Sequence, residues 1–224
     1  MPSTPRSNLL RGDFALTMPG QLLPESFFGR DALAVARDLV GRVLVRDDVA
    51  LRITETEAYR HPGDTASHCR AGRTARNAAM WGPPGRAYVY VCYGLHAMLN
   101  LVTDRDGEGA AVLVRAAEAV AGLETIRARR GASSSSDESN WLAGPGKVGQ
   151  ALALDTSFSG HRLFERGGLE LRAGLPAMDV LCGPRVGIDY ALPEHRDAPY
   201  RFADARSRAV THRRTLRPLL RFTQ

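Results

Sequence analysis

The chain has 224 residues, 44% of them hydrophobic and 24% charged, and its 30 basic and 24 acidic side chains leave a net charge of +6. That length is enough for one large or two small domains with a real core, and that balance is globular rather than disordered. No apolar run approaches the roughly 18 residues of a membrane helix, and the first 20 residues lack a secretory apolar segment, so an integral membrane protein, a coiled coil and a Sec-secreted enzyme are excluded.

In chain order, residues 1–20, rich in Ser, Pro and Arg, read as a mobile arm. Asp31 to Val40 reads as a helix, with Leu33, Ala36, Leu39 and Val40 apolar, Asp31 at its start and Gly41 as its stop. Val43–Val45 and Leu51–Ala58 read as strands, and Arg60–Gly85 as a long polar segment of the kind that is usually functional. Ala87–Tyr93 and Ala97–Val102 read as hairpin strands joined by Gly94-Leu95-His96, and Ala111–Ala116 as a further strand. Glu118–Arg129 is expected to be helical and Ala132–Asn140, rich in Ser, flexible. Pro145 opens a helix running to about Leu154. Strands in hairpins with helices between them predict one α+β domain over residues 21–205, with a largely antiparallel sheet, followed by a basic tail over 206–224.

Charge and aromatics are unevenly placed. All basic residues but Lys147 are arginine, and residues 201–224 carry seven arginines against Asp204 alone. Between Arg60 and Thr103 there are five arginines against Asp64, and four of the six tyrosines (Tyr59, Tyr88, Tyr90, Tyr93) lie between 59 and 93. Arginine interleaved with aromatics suits phosphates and stacked bases, so nucleic acid is the expected partner. Cys69, Cys92 and Cys182 are odd in number, widely spaced and without Cys-x-x-Cys, which favours a reducing cytoplasm.

Strict alternation puts Leu51, Ile53, Glu55 and Glu57 on one face of their strand. Two readings stay open: the strand frays at Thr54 and solvates both carboxylates, or Glu57 is a general base held in a cleft. Tyr88, Tyr90 and Cys92 share a face, while Tyr93 and Leu95 form an apolar tip that either packs or inserts between base pairs. His61, His68, Cys69, Cys92 and His96 match no zinc spacing. Gly144-Pro145-Gly146-Lys147 reads as an ordinary helix start, a contact for one backbone phosphate, or a source of a Schiff-base amine.

Taken together, these segments resemble the alkylpurine DNA glycosylase family. The matching pieces include Glu55-Thr56-Glu57-Ala58-Tyr59, Asp64-Thr65-Ala66-Ser67-His68, Arg76-Asn77, Tyr88-Val89-Tyr90, Tyr93-Gly94-Leu95-His96, Val112-Leu113-Val114-Arg115-Ala116, Gly144-Pro145-Gly146-Lys147 and Arg185-Val186-Gly187-Ile188, in the family's order from about Leu23 to Phe202. The resemblance implies a curved antiparallel sheet with a protruding β-hairpin, similar to the C-terminal domain of formyltransferases. It implies a monofunctional enzyme of base excision repair with no metal or cofactor, acting on double-stranded DNA that carries alkylated or deaminated purines. A monomer per lesion, no membrane, and a place in the cytoplasm at the nucleoid are further expectations, the last from the cysteines and the lack of a targeting segment.

By the same resemblance Glu57 is the base that activates water, with Arg115 and the Val186 carbonyl beside that water. Tyr59, His68 and Tyr90 wall the base pocket, and Asn100 discriminates against the guanine amine. Tyr93, with Leu95, fills the vacated stack. Apart from the resemblance, Arg76 and Lys147 are the candidate phosphate contacts. Three departures stand out: Leu95 where Met is frequent, Cys69 where Ser is frequent, and a short Arg70–Met80 loop. The rival expectations are a non-catalytic damaged-DNA binding module, a bifunctional glycosylase and lyase acting through Lys147, and a small-molecule transferase.

Overall fold

The computed structural model describes residues 20–131 and 137–219. The expected N-terminal arm, most of the Ser-rich stretch and the last five residues lie outside the described residues. Helix α1 (Ala32–Leu39) starts where Asp31 accepts hydrogen bonds from the amides of Leu33 and Ala34, and it buries Ala32, Val35, Ala36 and Leu39 along one stripe. The strands follow: β1 (Val43–Arg46), β2 (Val49–Tyr59), β3 (Ala87–Cys92), β4 (His96–Thr103) and β5 (Ala110–Ala121). Then come α2 (Leu123–Arg130), α3 (Pro145–Ala151), β6 (Glu170–Arg172), β7 (Val180–Gly183), the single turn α4 (Pro193–Arg196), β8 (Arg201–Asp204) and β9 (Arg217–Pro218).

The strands form one open antiparallel sheet in the order β3-β4-β5-β2-β8-β7-β9, with β1 branching from β2 and β6 pairing with β1. β2 lies against β5 on one side; on the other it pairs with β1 over Val49–Arg52 and with β8 over Glu55–Glu57. The sheet therefore divides at Thr54. On the β2–β5 ladder Ile53 faces Ala117, Glu55 faces Ala116 and Thr56 faces Val114, so Thr54 and Arg115 are each an extra, bulged residue.

These bulges correct the simple alternation expected for β2. Leu51, Ile53 and Ala58 lie in the main core, and the Thr56 hydroxyl donates to Ala36 O of α1 at 2.8 Å. Glu55, Glu57 and Tyr59 take the opposite face. One inserted residue reverses which face every later side chain meets, and here it removes two carboxylates from the apolar core.

The main core packs α1, α2 and α3 against the first face. Val35, Leu39, Leu51, Ile53, Leu99, Val112, Ile126, Val148 and Leu152 are all buried there, each worth about 1.5–3 kcal/mol relative to exposure. A smaller cluster on the second face joins Cys69, Met80, Tyr88, Val102 and Ala111 beneath the segment from residue 60 to 85. That segment is largely irregular, as expected, with one short turn of helix at Ala78–Trp81.

Two other expectations are corrected. The helix expected over Glu118–Arg129 is strand up to Ala121, because Glu118 and Ala121 pair with Arg52 and Ala50 of β2; Gly122, at φ 76°, breaks the strand and α2 begins after it. The basic segment expected as a tail from Arg206 is packed through Leu219: Ala209 and Leu216 are buried, and Arg217 pairs with Cys182. Its charge is partly paired at the surface, where Arg206 meets Asp179 and Arg208 meets Asp137, both at 3.2 Å.

Helix α3 approaches β4 closely at Gly149, where an added Cβ would lie 2.0 Å from Ala97 O. In an open helix Gly→Ala stabilises by up to about 1 kcal/mol. Gly149→Ala is instead expected to destabilise this protein by about 1–3 kcal/mol, because two backbones must separate. Thermal unfolding followed by circular dichroism checks this; an unchanged or higher Tm would contradict the packing.

Candidate active site

The antiparallel register aligns Tyr88 of β3, Asn100 of β4, Leu113 of β5, Glu57 of β2 and Arg201 of β8 as successive cross-strand neighbours. Directly opposed residues share a face, so the sheet presents this row on the side away from the main core. Neither carboxylate frays into solvent: Glu55 and Glu57 are both 0% exposed.

Glu57 sits at the centre of three donors. The Val186 amide donates to Oε1 at 2.8 Å, the Tyr59 hydroxyl donates to Oε2 at 2.8 Å, and Arg115 Nη1 lies 3.3 Å from Oε1. Val186 reaches Glu57 through its amide, a different atom from the carbonyl expected beside the water. A carboxylate offers about four acceptor sites. Among the described residues Oε1 has two of these partners and Oε2 one, which leaves Oε2 with capacity for one more.

Glu55 is more fully tied. Arg201 Nη1 donates to Oε1 at 2.9 Å, the Thr211 hydroxyl donates to Oε1 at 2.8 Å, the Thr211 amide donates to Oε2 at 2.7 Å, and Arg115 Nε lies 3.4 Å from Oε1. Arg115 thus bridges both carboxylates. Burial alone would lower its pKa, but Glu57 and Glu55 outweigh that and raise it.

The aromatic residues gather beside Glu57. The His68 and Tyr90 rings are 4.6 Å apart and nearly perpendicular, and the His68 Nδ1 lies 3.1 Å from the Tyr88 hydroxyl. Tyr59 and Tyr90 pack on the same second-face cluster. Burial, then Glu57, pushes the Tyr59 pKa well up; burial pushes Tyr88 to about 12 and Tyr90 upward, so all three stay phenols. Asn100 is buried, and its side-chain amide donates to the carbonyls of Tyr88 and Met98 at 3.2 and 3.3 Å.

At the β3–β4 turn, Tyr93 and Leu95 are 91% and 80% exposed. Tyr93 takes φ 53° and Gly94 φ 69°. A bulky residue with positive φ is strained, by about 1–3 kcal/mol. Arg76 is exposed on the 60–85 segment. Lys147 stands apart from Glu57, on α3 against the other face, and its ammonium donates to Asn140 O at 2.7 Å. Burial, then Arg130, lowers its pKa.

The histidines and cysteines weighed for zinc do not gather in one place: His61 packs tilted against Trp81, Cys69 is buried in the second-face cluster, and His96 lies opposite Cys92 and beside Gly146. Among the described residues no three His, Cys, Asp or Glu converge on a metal position. Cavities of about 580 Å³ beside Arg42 and Leu181, and about 400 Å³ beside Trp81 and Glu108, are lined by none of the residues around Glu57.

Many known proteins are similar to this chain. A relative in Nitrosococcus oceani, provisionally named a 3-methyladenine DNA glycosylase, is 56% identical over 197 residues, 88% of this chain and 96% of its own. The DNA-3-methyladenine glycosylase of Arabidopsis thaliana is 51% identical over 224 residues, 97% of this chain and 87% of its own. The family model for methylpurine-DNA glycosylase matches residues 26–208. The chain belongs to the methylpurine-DNA glycosylase family.

Several members of the assembly in this glycosylase-family chain were not legible beforehand. Arg201 and Thr211 lie in the segments counted as basic and as tail, and Arg185 and Asp64 appeared only inside motifs. Sequence separation hides them: Arg201 and Glu55 are 146 positions apart. The hint available was an excess of arginine next to a strand with two acidic residues on one side.

His68 carries a checkable charge state. Burial, then Arg76 and Arg70, hold its pKa below the ordinary imidazole value, so it is neutral at neutral pH. Below that ordinary value the unfolded chain takes a proton that the folded one refuses, so this group subtracts stability as pH falls. Arg76→Gln is expected to raise the His68 midpoint, read from its ring proton by NMR; an unmoved midpoint would show that Arg76 does not reach it.

Proposed function

We propose that this protein is a monofunctional DNA glycosylase that hydrolyses the N-glycosidic bond of alkylated purines, 3-methyladenine and 7-methylguanine first and hypoxanthine and ethenoadenine as further targets. The observation that carries this reading is Glu57: buried, bonded by Val186, Tyr59 and Arg115, with acceptor capacity left on Oε2 beside a cluster of aromatic rings. A damaged nucleotide turned out of the duplex brings C1′ to that carboxylate, at a cost of a few kcal/mol of stacking and pairing. Water attacks C1′, its proton passes to Glu57, and the base leaves with the electron pair of the broken bond. An N3- or N7-alkylated purine is cationic and leaves neutral, so it needs no proton from the enzyme.

Tyr59, His68 and Tyr90 form the walls on which the purine stacks, and a cationic base gains about 0.5–2 kcal/mol from each electron-rich face. Neutral His68 adds a ring without adding repulsion. Asn100 has both amide hydrogens committed to backbone carbonyls, so any exclusion of the guanine amine there is by volume rather than by donor repulsion. Arg115 holds the negative charge in place, and Val186 fixes the carboxylate's direction. Arg76 and Lys147 supply phosphate contacts on double-stranded DNA, with one monomer serving one lesion. A strand-nicking role for Lys147 is disfavoured, since its ammonium donates to Asn140 O and makes no contact with the groups around Glu57 among the described residues.

Two outcomes test the reading. Glu57→Gln is expected to lower release of free methylated purine from duplex DNA by at least about a hundredfold, the range of a general base, while duplex binding persists. Release at the wild-type rate would remove Glu57 from its role.

Tyr93 with Leu95 is the wedge that holds the gap open. Asn-Gly is the favoured pair for a turn with two positive φ values. Tyr93→Asn is therefore expected to keep or raise Tm while slowing base release, measured by calorimetry and single-turnover assay. Lower Tm with unchanged release would contradict the wedge.

A further inference from the structure

Arg185 has no part in the roles above, yet no part of its side chain reaches solvent. Its guanidinium makes a bidentate pair with Asp64, Nη1 to Oδ2 at 2.5 Å and Nη2 to Oδ1 at 2.8 Å. Nη1 also donates to Ala58 O at 2.8 Å, and Nη2 donates to His195 O at 3.1 Å. The same group lies over the Tyr59 ring, 4.7 Å from its centroid, and 5.2 Å from that of Tyr200.

These contacts converge on the donors of Glu57. Ala58 is the residue between Glu57 and Tyr59, and Val186 follows Arg185 in the chain. One planar fork therefore fixes the strand at Ala58, the face of Tyr59 and the start of the segment that carries the Val186 amide. We propose that Arg185, locked by Asp64, is a positioning residue that sets the Val186 amide and the Tyr59 hydroxyl on the Glu57 carboxylate. This rests on Glu57 being the base proposed above.

Stability alone is a poor reason for such a pair. Buried ion pairs replaced by apolar residues of similar size often leave a protein equally or more stable. A lysine at this position keeps the charge but gives up the fork, so it separates positioning from simple electrostatics. The charged and titratable groups around Glu57 are Glu55 and Tyr59 of β2, Tyr90 of β3, Arg115 of β5, Arg201 of β8, and Arg185 and Tyr190 of the segment before α4. Arg185→Lys leaves the charge of every one of them in place.

The test is single-turnover release of methylated purine from methylated duplex DNA across pH, with Arg185→Lys and with Arg185→Met combined with Asp64→Leu. Both variants are expected to be slower by about 10–100-fold, the cost of a displacement near 1 Å, with duplex affinity unchanged. Their acid limb is expected to move to higher pH, because hydrogen bonds that favour the ionised carboxylate are lost. A merely structural pair would lower Tm and leave the rate per folded molecule and the acid limb where they are, and that result overturns the proposal. If Arg185→Lys does not fold, the apolar pair is read by the same criteria. Glu57→Gln run alongside separates the two claims: an active Glu57→Gln removes the general base itself, whereas an inactive one beside wild-type-like Arg185 variants removes only the positioning role.

Discussion

Two carboxylates stand two residues apart on one strand, both cut off from water, and Arg115 bridges them. Along an extended strand that spacing is about 7 Å, and at an effective dielectric near 20 the repulsion is roughly 2 kcal/mol. Each contact of Arg115, near 3.4 Å, returns about 5 kcal/mol on the same scale, before desolvation is charged against it. Arg201 and Thr211 add further bonds to Glu55. The order of the site follows from this balance. Glu55 carries four contacts and serves as an anchor for Arg115, whereas Glu57 carries three and has an oxygen turned toward the aromatic cluster through Tyr59.

The fold serves that balance by separating its two faces. Helices α1, α2 and α3 cover one side of the sheet and hold the apolar core. The other side carries the row from Tyr88 to Arg201, and the segments 60–85 and 184–200 close over it. The bulges at Thr54 and Arg115 make the separation possible. Without them Glu55 and Glu57 would continue the face of Leu51 and Ile53, among side chains that have nothing to offer a carboxylate. A bulge beside a reactive group, aiming it away from the regular ladder, is a recurring use of that irregularity.

Much of this was legible in the sequence and some was not. β3 announces itself by alternating tyrosine and valine, β4 by the apolar run that follows the Gly turn, and α1 by its Asp cap and apolar spacing. The residues of the candidate site were named from motifs, and Glu57, Tyr59, Arg115 and Val186 do meet, as do His68 and Tyr90. The parity of β2 was not legible, because Thr54 carries no mark that distinguishes a bulge from a regular strand residue. The end of β5 was misread as helix, because Glu118 and the alanines near it satisfy helical propensity while long-range pairing with β2 overrides it. The tail was misread through charge counting. Arg201 and its neighbours look like free positive charge until their partners, far away in the chain, are known.

The central claim is that the Glu57 carboxylate faces the sugar of an extruded purine. The most direct measurement is a crystal structure of this protein bound to a duplex that carries one uncleavable alkylpurine analogue. The account predicts the analogue's base between Tyr59, His68 and Tyr90, with C1′ opposite Glu57 Oε2 and the Val186 and Arg115 contacts kept. A nucleotide left stacked in the duplex, or extruded with its sugar away from Glu57, would contradict it.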